Sequence, residues 1–393
     1  MKKIHNAAIN GDFELLSKII EDNPELINQK DELGRTPLIL AAAKGHHKLC
    51  EMLADKGASL DEKDNNGWTA IMHSSCDGHV EVLRSLAAKG ADVNVTQKED
   101  WSALNLAGSQ DQLEFCEELI KCGAKINHVT ESGVSTLMIA AKNNNVELIE
   151  LLIKHKANLE LVDEEGNSAL VVCAECNSTH SAKKLVAAGC ILDPDSFEKR
   201  SALISASELG HIQIVSLMVE AGANVNYSDR DGNTALFFSV DQMKYDVSKF
   251  LLSKSASVDI KNNNGDYVIF SAIRKNDVDT VLLLESKGAN IHCVDAKGET
   301  TLLKSAWAGN AKLINHFASK GVSPKVAASH GWTPILAAIK SGVKSAVVEL
   351  IKLKVDINEK TVLGFSAKEF ARHKNQKDIV KIIDSRDIDF GIA

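Results

Sequence analysis

Asp31-Glu-Leu-Gly-Arg-Thr-Pro-Leu-Ile-Leu-Ala-Ala-Ala-Lys-Gly-His-His47 opens a stretch that continues through an amphipathic apolar segment to Lys56-Gly-Ala-Ser-Leu60, and the rest of the chain repeats it. Gly34 recurs, in steps of 33 residues, as Gly67, Gly133, Gly166, Gly232, Gly265, Gly298, Gly331 and Gly364, with Asp100 and Lys199 alone interrupting the column. Two places later stand Thr36, Thr69, Ser102, Ser135, Ser168, Ser201, Thr234, Tyr267, Thr300, Thr333 and Ser366. A third column stays apolar throughout: Leu53, Leu86, Leu119, Leu152, Leu185, Met218, Leu251, Leu284, Phe317 and Leu350. Self-similarity at a fixed short period, with no insertion or deletion, is the signature of a repeat solenoid.

Each unit has one internal logic. An Asp/Asn-x-x-Gly segment predicts a tight turn, with Gly where the backbone needs positive φ. The Thr or Ser that follows predicts a helix N-cap through its side-chain oxygen. Pro37 and Pro334 come directly after the cap, at the first helical position, where a missing N–H is harmless. The first helix is short and small-faced, as in Leu40-Ala41-Ala42-Ala43, which lets the next unit approach closely. Gly45-His46, Gly78-His79 and Gly210-His211 mark a break, after which a second helix carries apolar residues at i, i+3 and i+4, such as Leu49, Met52 and Leu53. A Gly-Ala pair ends it, with Gly taking the left-handed conformation. Three units lack that Gly and carry Lys156, Ser255 or Lys354 instead.

This turn–helix–helix unit resembles the ankyrin repeat, whose signature contains Thr-Pro-Leu-His-x-Ala. The best matches are Thr36-Pro37-Leu38-Ile39-Leu40-Ala41 and Thr333-Pro334-Ile335-Leu336-Ala337-Ala338. The signature's His is replaced in each full repeat, for example by Ile39, Met72, Asn105, Val171 and Phe237, and survives only as His5. The resemblance covers essentially the whole chain and implies an all-α repeat solenoid, each 33-residue unit being a β-hairpin turn plus two antiparallel helices. It also implies that the His hydrogen-bonds the loop between units. Residues 1–30 read as an N-terminal capping repeat, 31–360 as ten full repeats and 361–393 as a C-terminal capping repeat, where Lys368 takes the place of a core Leu. The unit beginning at Asp229 is the most divergent, with Val240, Met243 and Lys244 in place of small residues and Gly-His, so residues 229–294 are expected to open first.

Composition narrows the function. The net charge of −8 argues against a nucleic-acid binder, which needs a basic face. No apolar run approaches the ~18 residues of a membrane span. No apolar stretch follows the basic residues at the N-terminus, so no signal peptide is expected. Eight cysteines scattered over different repeats do not form a disulfide framework, and the expectation is a cytoplasmic protein with reduced thiols, the nucleus being the alternative. Cys173 and Cys176, with His180 and Cys190 close behind, have the residue types of a zinc site. Cys173 and Cys190, however, fall in core columns, so no metal is expected. No phosphate loop, nucleophile elbow or His-Glu-x-x-His occurs, and neither a catalytic residue nor a cofactor is assigned.

What remains is recognition by a monomer that binds another protein through its groove and fingers. The resemblance puts the contact surface on the columns that begin at 32, 33, 35, 43 and 44. All four tryptophans lie in them: Trp68, Trp101 and Trp332 in the finger column and Trp307 in the helix column. Exposed Trp is a frequent hot spot, though Trp at this place also packs on its own hairpin. Trp68 and Trp101, in adjacent repeats, are expected side by side. The charges in these columns are uneven. Glu164, Glu165 and Glu175 give repeat 5 a charge of −3; Glu198, Arg200 and Glu208 give repeat 6 −1; Arg230, Asp231 and Asp241 give repeat 7 −1; repeats 8–10 together come to +2. A partner with a basic segment fits the acidic middle. An alternative of another class is a regulatory or effector protein that binds a small molecule or lipid in the same groove.

Overall fold

The structure, a computed structural model, describes residues 3–194, 201–358, 360 and 364–385. Its contacts divide the chain into two compact units, Met1–Ala202 and Leu203–Ala393. Among the described residues there are 24 α-helices and no strand, the fold of an all-α repeat solenoid. In the first unit the inner helices are Lys3–Asn10, Pro37–Ala43, Ala70–Cys76, Ala103–Ser109, Thr136–Lys142 and Ala169–Cys176, each followed by an antiparallel outer helix such as His47–Asp55 or Val146–Lys154. The second unit carries the inner helices Ala202–Leu209, Ala235–Asp241, Val268–Arg274, Thr301–Trp307, Pro334–Ser341 and Ala367–His373, again alternating with outer helices.

The local reasons are those the repeat announces. Thr36, Thr69, Ser102, Ser135, Ser168, Thr234, Thr300 and Ser366 each accept the backbone N–H three residues on, closing the first turn of an inner helix. Tyr267 cannot cap in this way, and its ring meets Phe270 edge-on at 5.7 Å instead. Lys156, Ser255 and Lys354 keep the left-handed backbone of the glycines they replace, at φ 63°, 65° and 54°. The apolar column is the core: all ten side chains from Leu53 to Leu350 have no exposed surface. Burying one such side chain is worth about 1.5–3 kcal/mol.

The finger turns are closed by backbone bonds such as Asp31 N–H to the Arg35 carbonyl at 3.0 Å, and some carry a single antiparallel bridge, such as Thr96 with Ser102 and Val294 with Thr300. The side chain that starts the turn adds to them. Oδ1 of Asp31, Asp64, Asp163, Asp229 and Asp295 accepts the N–H groups two and four residues on, so those donors are spent inside the finger. Several successive fingers are tied by a backbone bond, for example from Asn65 N–H to the Leu33 carbonyl at 3.0 Å and from Glu131 N–H to the Glu99 carbonyl at 3.0 Å. A second ladder, absent from the sequence reading, runs behind the outer helices. Asn28, Asp61, Asn94, Asn127 and Glu160 accept the backbone N–H of Ser59, Asp92, Lys125, Asn158 and Ile191 in the following repeat. Near the N-terminus, the Nε2 of His5 is 2.8 Å from the Gln29 carbonyl, in the segment that leads into the first finger, as the resemblance implies for this His.

Candidate functional site

Within the first unit, polar contacts hold the base of the first two fingers. The Asp31 carboxylate takes the Arg35 guanidinium at 2.8 and 3.0 Å. Burial pushes its carboxyl up, but Arg35 and two backbone N–H groups more than reverse this, leaving it below the usual range. One repeat on, Trp68 stands at the Arg35 position, and His73 meets Asp64 at 2.9 Å while its ring lies 5.2 Å from the Trp68 indole. Trp68 thus packs on its own repeat. Trp101 occupies the same place in the next finger, half-buried, with its carbonyl accepting Gln97 N–H.

Of the acidic residues, Glu164 and Glu165 are exposed at the tip of their finger and Glu175 is half-buried on the last turn of Ala169–Cys176. Glu198 and Arg200 lie outside the described residues. In the second unit Glu208 is half-buried and Asp231 is an exposed fingertip whose carbonyl accepts Asn263 N–H at 2.8 Å. Asp241 accepts the Ser271 hydroxyl at 3.2 Å and lies 3.6 Å from the Lys275 ammonium, so much of its charge is answered within the fold.

The second unit brings together residues that the sequence reading treated separately. The indoles of Trp307 and Trp332 lie 4.7 Å apart, in adjacent repeats. The Lys340 ammonium stands over both rings, 4.8 Å from Trp307 and 5.0 Å from Trp332. Trp332 meets Phe370 edge-on at 5.6 Å, Phe370 neighbours Phe365 at 6.4 Å, and Phe365 stacks on His373 at 5.5 Å. Lys374 covers the Phe370 ring at 5.7 Å. A desolvated cation–π contact is worth up to about 2 kcal/mol and an aromatic pair about 0.5–1.5 kcal/mol. Trp307 Nε1 is buried with no acceptor.

Beside Trp307 opens a cavity of about 440 Å³ lined by Arg274, Glu299, Lys304, Trp307 and Ala308. Lys304 is the residue the sequence reading missed. It stands where other repeats carry Leu40, Leu106 or Ile139, its side chain is 9% exposed, and its ammonium reaches Asp295 at 2.7 Å and Glu299 at 2.9 Å. Burial opposes its charge, but the two carboxylates hold its pKa above the usual lysine range. Asp295 is in turn held low by Lys304 and by backbone N–H groups against the upward push of burial. The available signal was the spacing: Lys304 follows Asp295 by nine residues, as His73 follows Asp64. Arg274, on the cavity wall, pairs with Asp266 at 3.1 Å.

The thiols are built for packing. Cys173 and Cys190 are buried and Cys176 is exposed. Burial pushes the Cys50 and Cys116 thiols up to about 12, far from nucleophilic character. Among the described residues no group of three or more His, Cys, Asp or Glu could hold a metal ion, and no helix is long and apolar enough to cross a membrane. A family model described as ankyrin repeats (3 copies) matches residues 4–97, 104–196, 183–262 and 268–361.

Proposed function

Since this chain belongs to the ankyrin-repeat family, whose repeats mediate protein–protein interaction, we propose that it is a non-catalytic protein-binding scaffold or adaptor, a monomer of the cytosol. The observation that carries this reading is the arrangement of its half-exposed aromatic and charged side chains. They recur at two places in the unit, the finger and the last turn of the inner helix, as in Trp68, Trp101, Trp307 and Trp332. Side chains spaced along a repeat suit an extended protein partner better than a compact substrate.

On the first unit, the exposed pair Glu164 and Glu165, together with Glu175, favours a basic segment of that partner. Charge of this kind acts mainly on association rate and is screened beyond a Debye length of about 8 Å in physiological salt. The experiment is affinity purification of the full chain from its native cytosol, followed by association kinetics with the purified partner. A stoichiometric protein whose association slows at low salt with Glu164, Glu165 and Glu175 changed to Lys, and converges at high salt, supports the reading. Strong thermal stabilisation by a metal, nucleotide or lipid head group, with no protein partner, would replace it with the ligand-binding alternative.

A further inference from the structure

The eight inner-helix end positions of the last four repeats, counting the C-terminal one, read Arg274-Lys275, Trp307-Ala308, Lys340-Ser341 and His373-Lys374, with no carboxylate among them. Not all of these cations are equivalent. Arg274 is committed to Asp266 and Lys275 to Asp241. Lys340 and Lys374 make no ion pair among the described residues and rest on aromatic rings instead, Lys340 on two indoles and Lys374 on Phe370. A cation over a ring face keeps most of its ammonium hydrogens and most of its field for a second partner. The cavity lined by Arg274, Glu299, Lys304, Trp307 and Ala308 adjoins this cluster through the shared Trp307 ring, its one carboxylate, Glu299, being taken by Lys304, and its volume accepts one large side chain.

We propose that this Trp307–Lys340–Trp332 face docks an extended acidic segment of a partner protein, an apolar side chain packing on the Trp307 and Ala308 side of the cavity, one carboxylate meeting Lys340, and another meeting the donors that exposed Arg274 and Lys275 keep beyond those given to Asp266 and Asp241. The register follows from the repeat. Packed helices stand about 8–10 Å apart, and an extended chain advances about 3.3 Å per residue. The acidic residues therefore lie about three places before and three places after the apolar one. Charge complementarity selects the occupant, because a basic segment would meet Lys340 and Lys374, whose charge no carboxylate answers among the described residues, while Arg274 and Lys275 are already balanced by Asp266 and Asp241. The inference rests on the protein-binding reading but assigns this face a partner chemistry opposite to that of the acidic fingertips.

The test uses the full chain and a fluorescent nine-residue peptide, Ala-Asp-Ala-Ala-Phe-Ala-Ala-Asp-Ala, with an Asn-for-Asp version and a version whose Asp residues flank Phe directly. Lys340→Met keeps the stem over the rings and removes the charge; circular dichroism checks that it folds. The expected result is saturable binding at low salt, about tenfold weaker for Lys340→Met and for the Asn peptide, with the respaced peptide also weaker and the differences shrinking at high salt. Equal binding of the Asp and Asn peptides, equal binding by Lys340→Met, or no binding at all overturns the inference. So does a concentration-dependent dimer that Lys340→Met dissociates, because the occupant would then be a second copy of this chain. Failure of the peptide while the full chain still holds a stoichiometric partner removes this inference and leaves the protein-binding reading standing.

Discussion

Replacing Ser255 by Gly should stabilise the protein. Ser255 sits at φ 65°, where an L-residue is strained by about 1–2 kcal/mol. Gly removes that strain but returns about 0.5–1 kcal/mol of freedom to the unfolded chain, leaving a net gain of about 0.5–1 kcal/mol. Lys156 and Lys354 present the same backbone, and because the three sites belong to different, non-adjacent repeats of the sequence their gains should add. The reverse change is clean at Gly90, where φ is 95° and a Cβ would meet nothing within 4 Å, so Gly90→Lys should cost about 1 kcal/mol from backbone strain alone. Gly133→Ala is the contrast. Its Cβ would come 2.9 Å from the Asp163 Cα and 3.1 Å from the Val162 carbonyl in the next finger, so strain and collision together should exceed about 2 kcal/mol. Urea melts followed by circular dichroism give the ordering. A lower midpoint for Ser255→Gly, or equal losses for Gly90→Lys and Gly133→Ala, would refute the reasoning.

Other outcomes follow from the same contacts. Lys304→Met leaves Asp295 and Glu299 facing one another without their cation and should cost about 3–5 kcal/mol at neutral pH. The Asp295 carboxyl is held low in the fold, so its contribution is present above its unfolded pKa and lost as pH falls through the folded one; the gap between Lys304→Met and the unmodified protein should close in acid melts. Asn94→Ala breaks bonds to Lys125 N–H at 2.8 Å and the Gly123 carbonyl at 3.1 Å in the next repeat, and thermal melts should show a loss of about 1–2 kcal/mol. Thiol titration should modify exposed Cys176 at once, with Cys50 and Cys116 reacting only on unfolding. Amide exchange should be fastest across residues 229–294, where Met243 holds φ 55° without a glycine; uniform protection there would remove the soft region.

The fold was legible because a 33-residue period is a covalent fact, and the caps, prolines and apolar columns each had one structural use. The inter-repeat ladder of Asn28, Asp61 and Asn94 was missed because its bonds join residues about 31 apart, a distance that column reading registers as repetition without showing who bonds whom. The site was less legible. Column membership told that Trp307 and Trp332 lie on one surface, but their 4.7 Å contact joins two different columns, 35 and 43 of the unit, and depends on how one repeat packs on the next. Trp68 showed the opposite: its neighbour in the column is Trp101, but its ring contact is His73 inside its own repeat. Lys304 was hidden because a charge in an apolar column is bearable only with buried carboxylates, and Asp295 and Glu299 supply them from the finger.

The central claim, that the inner-helix ends and fingers are the binding surface, is tested most directly by site-specific photo-cross-linking. A benzophenone amino acid is placed singly at Gln110, Ala308 or Ser341 on the inner-helix ends, and at the exposed Lys48 or Lys312 on outer helices. The account predicts that the inner positions cross-link one protein partner and the outer positions do not. Cross-links from the outer helices alone, or none from any position in the presence of the purified partner, would contradict it.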